Sequence, residues 1–551
     1  MVNDMINQIL ESLKQDLKNI ICELGATDDV EIMFEIPKDE EHGDYSTNVA
    51  MRLARVLRKA PVAIANDIIG KIDINKNHLS KVEVAGGGFI NLYLDQNYLN
   101  NVVFKILEEK DEYGKSNVGS GENVLLEFVS ANPTGYLHVG HGRGAAYGDS
   151  LGRIMKKAGY NVTTEHYVND AGNQITNLAN SIYERYKELF GLEFKLGDDS
   201  YHGKEIIEIA KMIKDEKGDF YLNNPYFDDF RKFGVDYLLE GLKKDLKDFN
   251  VVFDNWFSER SLYESDAVGK TLKFLKDNGY TYVDDGAVWL KTTEYGDEKD
   301  RVLVKSDGSL TYLTPDIAYH ANKLERGYNH LIDVLGADHH GYISRLKAAI
   351  AFVGGNPDLL DVDILQMVRA LQNGQEVKMS KRSGKAITLR DLMDEVGSDA
   401  LRYLYISKSL STHMDLDLDL AVKNTTENPV YYVQYAYARI ASLFRVVEEN
   451  GHEFKEVTKF DIINNQKIKK IISALLQYPS YINEAATKRI PHKICQYVYM
   501  LAGTLHSYYN EEKIITDNKD ELNEKLTLLK AVQIVLKDAL NLIGVNTVER
   551  M

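Results

Sequence analysis

Residues 123–130 read NVLLEFVS, and no other run restricts the fold as much. Its apolar residues do not alternate with polar ones, so a strand here is apolar on both faces. Such a strand does not suit a sheet with one wet face. It suits the middle of a parallel sheet covered by helices on both sides. The following segments agree. ANPTGYLHVGHG is a glycine-rich loop, RGAAYGDSLGRIMKKAGY reads as a helix starting at Arg143, and NVTTEHYV reads as a second strand. Strand, loop, helix and strand make a βαβ unit. Open α/β sheets bind ligands at the carboxyl ends of their strands, so the loop before Arg143 is the first place to look for function.

The chain has 551 residues, enough for about three or four domains. Residues 1–115 read as an α/β unit. An amphipathic helix leads into a strand, VEIMFEIP, ended by Pro37. A capped helix, NVAMRLARVL, follows. The strand KVEVAGGGFINLYL is broken at Gly86–Gly88, where glycine marks a bulge or a close backbone approach. Residues 116–405 hold the βαβ unit, and the charged stretch at about 175–275 reads as a helical insertion. An antiparallel ribbon is predicted over 281–316, with turns at Asp285-Gly286 and Asp307-Gly308. HLIDVLGADHHG is another buried strand with a polar end. Helical periodicity dominates from about 386, and residues 406–551 read as all-α.

Composition removes several function classes. No apolar run approaches the roughly 20 residues that span a bilayer, and the N-terminal pattern is an amphipathic helix rather than an apolar leader. Cys22 and Cys495 are the only cysteines, too few for a disulfide framework or a four-cysteine zinc site. A cytoplasmic protein with reduced thiols and no membrane contact is expected. The net charge of −17 excludes a uniformly basic nucleic-acid binder, but residues 431–551 carry 16 Lys/Arg against 14 Asp/Glu. Within them, 455–493 hold eight basic and three acidic groups. That stretch, with Lys469 and Lys470 at its centre, suits phosphate contact or, equally, a solvated helix face.

Two motifs carry chemistry. The first is His138-Val139-Gly140-His141, at the end of a strand and the mouth of a helix. It matches neither GxxxxGK[ST] nor GxGxxG, and it lacks two further zinc ligands. Its amides and the helix dipole favour a phosphate. The two histidines either donate hydrogen bonds to phosphate oxygens or cap the helix. The second is KMSKRSG at 378–384, where Lys378, Lys381 and Arg382 flank Met379 and Ser380. This basic loop suits a polyphosphate and is otherwise a solvated turn.

HVGH and KMSK, in this order, resemble the two signatures of class I aminoacyl-tRNA synthetases. EFVSANPTGYLHVGHGR, YVNDAGNQI, GADHHGY, GSDALRYLY, NPVYYVQYAYARI and the ending LIGVNTVERM resemble the arginyl family, as do HGDYSTNVA and VAGGGFIN near the N-terminus. The likeness spans essentially the whole chain. It implies a Rossmann-type catalytic domain over 116–405, an α/β N-terminal domain over 1–115 that contacts the tRNA elbow, and an α-helical anticodon-binding domain over 406–551.

The resemblance also implies roles. His138, Gly140, His141, Met379, Ser380 and Lys381 would bind ATP, with His138, His141, Lys378 and Lys381 stabilising charge in the reaction. Glu127, Ser130, Asn132, His141, Tyr312, Asp316 and Asp338 would bind arginine, whose planar guanidinium suits carboxylates. Tyr435, Arg439, Lys469 and Lys470 would touch tRNA. ATP would bring Mg²⁺, with no tightly bound metal or organic cofactor, and a monomer is expected. Three rivals stand beside this reading. A catalytically silent tRNA-binding relative has no reason to keep both signatures. A glutamate or glutamine enzyme would want a cationic pocket. A nucleotide-dependent oxidoreductase lacks its glycine fingerprint.

Overall fold

The computed structural model describes residues 5–27, 30–37, 39–379 and 387–551, without the side chains of Glu40, Asp338, His339 and His340. The chain opens with α1 (Met5–Glu23), which buries Ile9, Leu13, Leu17 and Ile20 along one stripe. The strand expected over 30–37 does not form. Only Glu35 bridges to Ser46, and Ile36 is 75% exposed, so no ladder extends from it. Then come β1 (Tyr45–Thr47), α2 (Val49–Leu57), α3 (Pro61–Ile69), β2 (Leu79–Ala85) and β3 (Phe89–Leu94), the strands in antiparallel order β1-β3-β2. Gly86–Gly88 form the tight turn of a hairpin rather than a bulge within one strand, with φ +53 at Gly86 and +114 at Gly88.

After α4 (Gln96–Glu109) the chain enters the main sheet through β4 (Asn123–Glu127), α5 (Val139–Lys157) and β5 (Asn161–Val168). Val124, Leu125 and Leu126 are fully buried, as an apolar central strand requires. The helix begins four residues before the expected Arg143, because His138 supplies its N-cap. Helices α6 (Gly172–Glu188), α7 (Lys204–Lys217), α8 (Phe220–Asn223) and α9 (Phe227–Asp248) form the insertion. It closes its own small core around Ile182, Tyr186, Ile209 and Phe230.

The stretch 175–275 is not all insertion. Its β6 (Asn255–Ser258) returns to pair in parallel with β5, followed by α10 (Arg260–Glu264) and α11 (Ala267–Asp277). The ribbon is three-stranded: β7 (Thr281–Asp284), β8 (Ala287–Leu290) and β9 (Arg301–Val304). Asp285 and Gly286 both take positive φ at its first turn, as a two-residue hairpin demands. With α12 (Leu313–Glu325), β10 (His330–Gly336), α13 (Ile343–Phe352) and β11 (Leu360–Leu365), the parallel sheet is complete in the order β11-β10-β4-β5-β6.

A small sheet follows from β12 (Val368–Gln372), β13 (Gln375–Glu376) and, after α14 (Leu389–Val396) and α15 (Ser398–Ile406), β14 (Met414–Asp417). The region past 386 is therefore not wholly helical: Met414 and Leu416 are buried and Asp415 and Asp417 exposed, a period-2 pattern. After α16 (Leu418–Ala421), the chain ends in a bundle of α17 (Pro429–Glu449), α18 (Gln466–Thr487), α19 (His492–Glu511) and α20 (Lys519–Leu542). No helix among the described residues is long and apolar enough to cross a membrane.

Helix α5 runs between the sheet and this bundle and buries 14 of its 19 residues. The bundle straps it along its length. The Tyr147 hydroxyl lies 3.0 Å from Arg489 O, Arg153 donates to Asn541 O, and Lys157 pairs with Asp538. Arg402, fully buried on α15, donates to Ile543 O, to Phe249 O and to Asp149 of α5.

On the sheet side, α5 lies so close that a Cβ at Gly148 would sit 2.1 Å from the buried Phe128 ring. Alanine is worth about 1 kcal/mol more than glycine in a helix interior, while overpacking a core costs about 1–3 kcal/mol. The second effect wins at Gly148 and is absent at Gly241 of α9, where nothing lies within 4 Å of an added Cβ. Gly148→Ala should lower the thermal midpoint and Gly241→Ala should raise it slightly, both read by calorimetry on the full chain.

Candidate active site

A cavity of about 840 Å³ opens at the carboxyl ends of the parallel strands, where the fold predicts a ligand. His138 and His141 line it from the first turn of α5. Each ring commits its Nδ1 as an acceptor: His138 Nδ1 takes Gly140 N–H at 3.1 Å, and His141 Nδ1 takes His138 N–H at 3.2 Å. The rings stack with centroids 3.7 Å apart. Burial lowers both pKa values, that of His141 to about 3, with the charge of His138 as a second cause. A neutral ring accepting at Nδ1 carries its proton on Nε2. Helix capping and phosphate donation are therefore compatible. The caps use one nitrogen of each ring and leave an Nε2–H donor on the other side, beside the positive end of the helix.

The chain reaches these histidines through a strained turn. Val129 and Ser130 take φ of +68 and +41, left-handed conformations that cost about 1–3 kcal/mol each for such residues. The turn folds Ser130 back on the strand, where its hydroxyl donates to Glu127 Oε1 at 2.8 Å and accepts from Tyr167 N. Glu127 Oε2 accepts from the buried Lys323 at 2.6 Å, and Lys323 also donates to Asp333 at 2.7 Å. His320 Nδ1 lies 2.8 Å from Asp316 O, an acceptor only, so it carries a proton. Its Nε2 lies 3.1 Å from Asp333 Oδ2, so the ring spans the gap between the Asp316 backbone and the Asp333 carboxylate. Lys323 is thus an ammonium shared between two carboxylates, with the His320 ring hydrogen-bonded to one of them.

Glu127 is thus a cavity acid already paired with a buried ammonium. Two others are not. Asp316 accepts from the Tyr342 hydroxyl, and burial pushes it up to about 6. Glu259 is pushed up to about 7, by burial first and then by the charges of Asp316 and Asp170. Both line the cavity. A cation is what two uncompensated carboxylates of this kind accommodate.

Asn132 and Gly140 also line the cavity, Asn132 donating to Gln174. Tyr312 is 68% exposed at its mouth. Ser380 and Lys381 lie outside the described residues, as does the Asp338 side chain. Lys378 and Met379 are exposed just before that segment, Lys378 lying 3.7 Å from Glu376. On its far side, Leu389 N donates to Leu137 O at 2.7 Å, and Thr388 bridges to His138. The segment that follows the second signature thus meets the first signature through the backbone.

In the C-terminal bundle, Tyr435 stacks on Tyr431 and His506, and Arg439 lies 3.7 Å from the centre of the Tyr509 ring. These side chains are half-buried on the outer face of α17, whereas Gln434 and Tyr437 turn inward. Lys469 lies apart from them, its charge acting on Asp44 of the N-terminal unit. Lys470 is exposed.

Sequence reasoning missed Glu259, His320, Lys323 and Asp333. Two of them carried a signal: Asp316, His320 and Lys323 are spaced i, i+4, i+7, one face of a helix. Glu259 carried none: the strand before it is only NWFS.

Comparisons with known proteins match three successive stretches of the chain. Residues 7–94 match the family described as arginyl tRNA synthetase N terminal domain, 102–423 the class I (R) tRNA synthetase catalytic domain, and 433–551 the DALR anticodon binding domain. The chain is 49% identical to the arginine–tRNA ligases of Geobacillus kaustophilus and Bacillus subtilis, over the whole of each chain. Its fold is similar to that of the Thermus thermophilus arginyl-tRNA synthetase, with a TM-score of 0.71 at 20% identity, covering 98% of this chain and all of that one.

The two raised carboxylates make a stability prediction. Their folded-state pKa values exceed the unfolded ones, so the folded protein holds their protons more tightly. They cost nothing below their ordinary values of 3.8 and 4.5, and the destabilisation builds as pH rises from there to about 6 and 7, reaching on the order of 2 kcal/mol each. Glu259→Gln removes one charge of the pair. It should raise the thermal midpoint of the ligand-free protein by a few degrees at pH 8 and leave it nearly unchanged at pH 4, in matched melting curves.

Proposed function

The chain belongs to the arginyl-tRNA synthetase family, and from that premise we propose how its residues divide the work of an arginine–tRNA ligase. In that reaction the arginine carboxylate attacks the α-phosphate of ATP, releasing pyrophosphate, and the arginyl group then passes to the 3′-terminal hydroxyl of its tRNA. The carrying observation is the pair of uncompensated acids, Asp316 and Glu259, in the cavity whose rim holds His138 and His141.

The guanidinium sits between Asp316 and Glu259, under Tyr312, where its fork of donors meets two carboxylates. Glu127, held by Lys323 and Ser130, presents its remaining lone pairs with Asn132 to the α-amino group. Asp338 supports the same site. His138 and His141 donate from Nε2 to the phosphates as charge develops, and Gly140 lets ATP lie against the backbone. The segment with Lys378, Met379, Ser380 and Lys381 neutralises the pyrophosphate. No side chain needs to act as a covalent nucleophile. Positioning and charge stabilisation carry the rate. Mg²⁺ enters with ATP, held by phosphates and water.

Residues 1–115 are assigned to the tRNA elbow, 116–405 to the chemistry and 406–551 to the anticodon. Tyr435 and Arg439 offer unpaired bases a stacking face, and Lys469 and Lys470 lie where α18 approaches the N-terminal unit. The protein is assigned to the cytoplasm as a monomer whose arginine activation requires bound tRNA.

ATP–pyrophosphate exchange with each of the twenty amino acids tests this reading. Exchange with arginine alone, and only when tRNA is added, is the expected result. Exchange with another amino acid, or none from folded protein, would overturn it. Asparagine caps helices well but lacks the imidazole donor. His138→Asn should therefore fold normally and lower kcat for exchange by about 10²–10³, with little change in KM for arginine.

A further inference from the structure

We propose that Arg489, at the turn between α18 and α19, is a positioning residue through which the C-terminal bundle sets the alignment of the two walls of the nucleotide site. The proposal rests on the reading of the cavity as a site for ATP. Arg489 reaches out of the bundle to the edge strand of the catalytic sheet. Its Nη1 donates to Asp361 at 2.7 Å and its Nε to Asp363 at 3.1 Å. The Tyr147 hydroxyl of α5 stands 2.7 Å from Asp363 Oδ2 and 3.0 Å from Arg489 O. One residue of the bundle thus engages both α5 and β11.

Those two elements carry opposite walls of the site. Tyr147 is six residues from His141, about 9 Å along a continuous helix. Asp361 and Asp363 share a strand face with Leu365, and the strand runs straight into Gln366 and Met367, which line the cavity. Leu365 also closes on Gly144 of α5, 3.6 Å from where a Cβ would stand. No flexible loop intervenes on either path, so a shift of Arg489 moves both walls.

Two features separate this contact from ordinary interface packing. Arg489 takes φ +53, a left-handed conformation that favours glycine, and its Nε and Nη1 each donate to an aspartate of β11. A gap of about 40 Å³ lies against it, lined also by Lys408 and His492, so close packing does not hold the contact on that side. The rest of that boundary is held independently by Arg402, Arg153 and Lys157. Loss of Arg489 should leave the fold intact.

The test uses the full chain with tRNA, comparing wild type, Arg489→Ala, Arg489→Lys and Tyr147→Phe. ATP–pyrophosphate exchange gives kcat and the KM for ATP, and filter binding gives the tRNA Kd. For Arg489→Ala a roughly tenfold fall in kcat and a raised KM for ATP are expected, with the tRNA Kd within twofold of wild type. Arg489→Lys should recover part of the loss, since an ammonium reaches one aspartate at a time. Tyr147→Phe should show a smaller defect of the same kind, and the double variant Arg489→Ala/Tyr147→Phe should be no worse than Arg489→Ala.

Unchanged kcat and KM for ATP in Arg489→Ala would overturn the proposal, as would a loss confined to the tRNA Kd. If Arg489→Ala does not fold, Arg489→Lys and Tyr147→Phe decide: wild-type kinetics in both overturn it. A wild-type protein without arginine-dependent exchange would instead strike the assignment of the cavity.

Discussion

The burial of α5 is the constraint on which the rest of the structure depends. A helix with one exposed face could tilt by several degrees with little cost. This one is pressed on the sheet through Gly148 and pinned on the other side by Arg402, Arg153 and Lys157. Breaking one buried ion pair typically costs about 3–5 kcal/mol because the partner charge is left unsolvated. The helix has one available position, and its first turn is where His138 and His141 stand. The large all-helical bundle therefore serves the active site at a distance, by fixing the element that carries the histidines.

The cavity then divides its charges into two classes. Lys323, His320, Glu127 and Asp333 form a closed, hydrogen-bonded group whose members satisfy one another. Such a group costs less in low dielectric because every member has a hydrogen-bonded partner. Asp316 and Glu259 stand outside it and repel each other. An empty site of this kind is electrostatically frustrated, and a bound guanidinium relieves it. Selectivity for a cation follows from what has been left unpaired rather than from the number of acids present, which is why the count of carboxylates alone would mislead.

Much of this was legible in the amino-acid order. The doubly apolar NVLLEFVS became the central strand, and the ribbon and the tail helices fell where their periodicity places them. The failures have particular causes. Histidine is not among the usual N-caps, so the start of α5 was placed at Arg143. The run over 30–37 has strand composition, but only one of its residues finds a partner. The strand β6 is four residues long within charged helices, so its period-2 signal is swamped, and Glu259 at its end was lost with it. At Glu127 the residue was visible but its partner was not, since Lys323 is 196 positions away.

The hydrogen bond from Leu389 N to Leu137 O joins the neighbourhoods of two signatures separated by about 240 positions in the chain. It is made by main-chain atoms only. Side chains at both positions can drift without touching it, and of the common amino acids only proline at 389 abolishes the donor. The meeting of the two motifs is thus inherited with the fold rather than with the residues. A descendant could rewrite the letters of either motif and still bring the two segments together, which leaves such a chain free to change its chemistry before it changes its architecture.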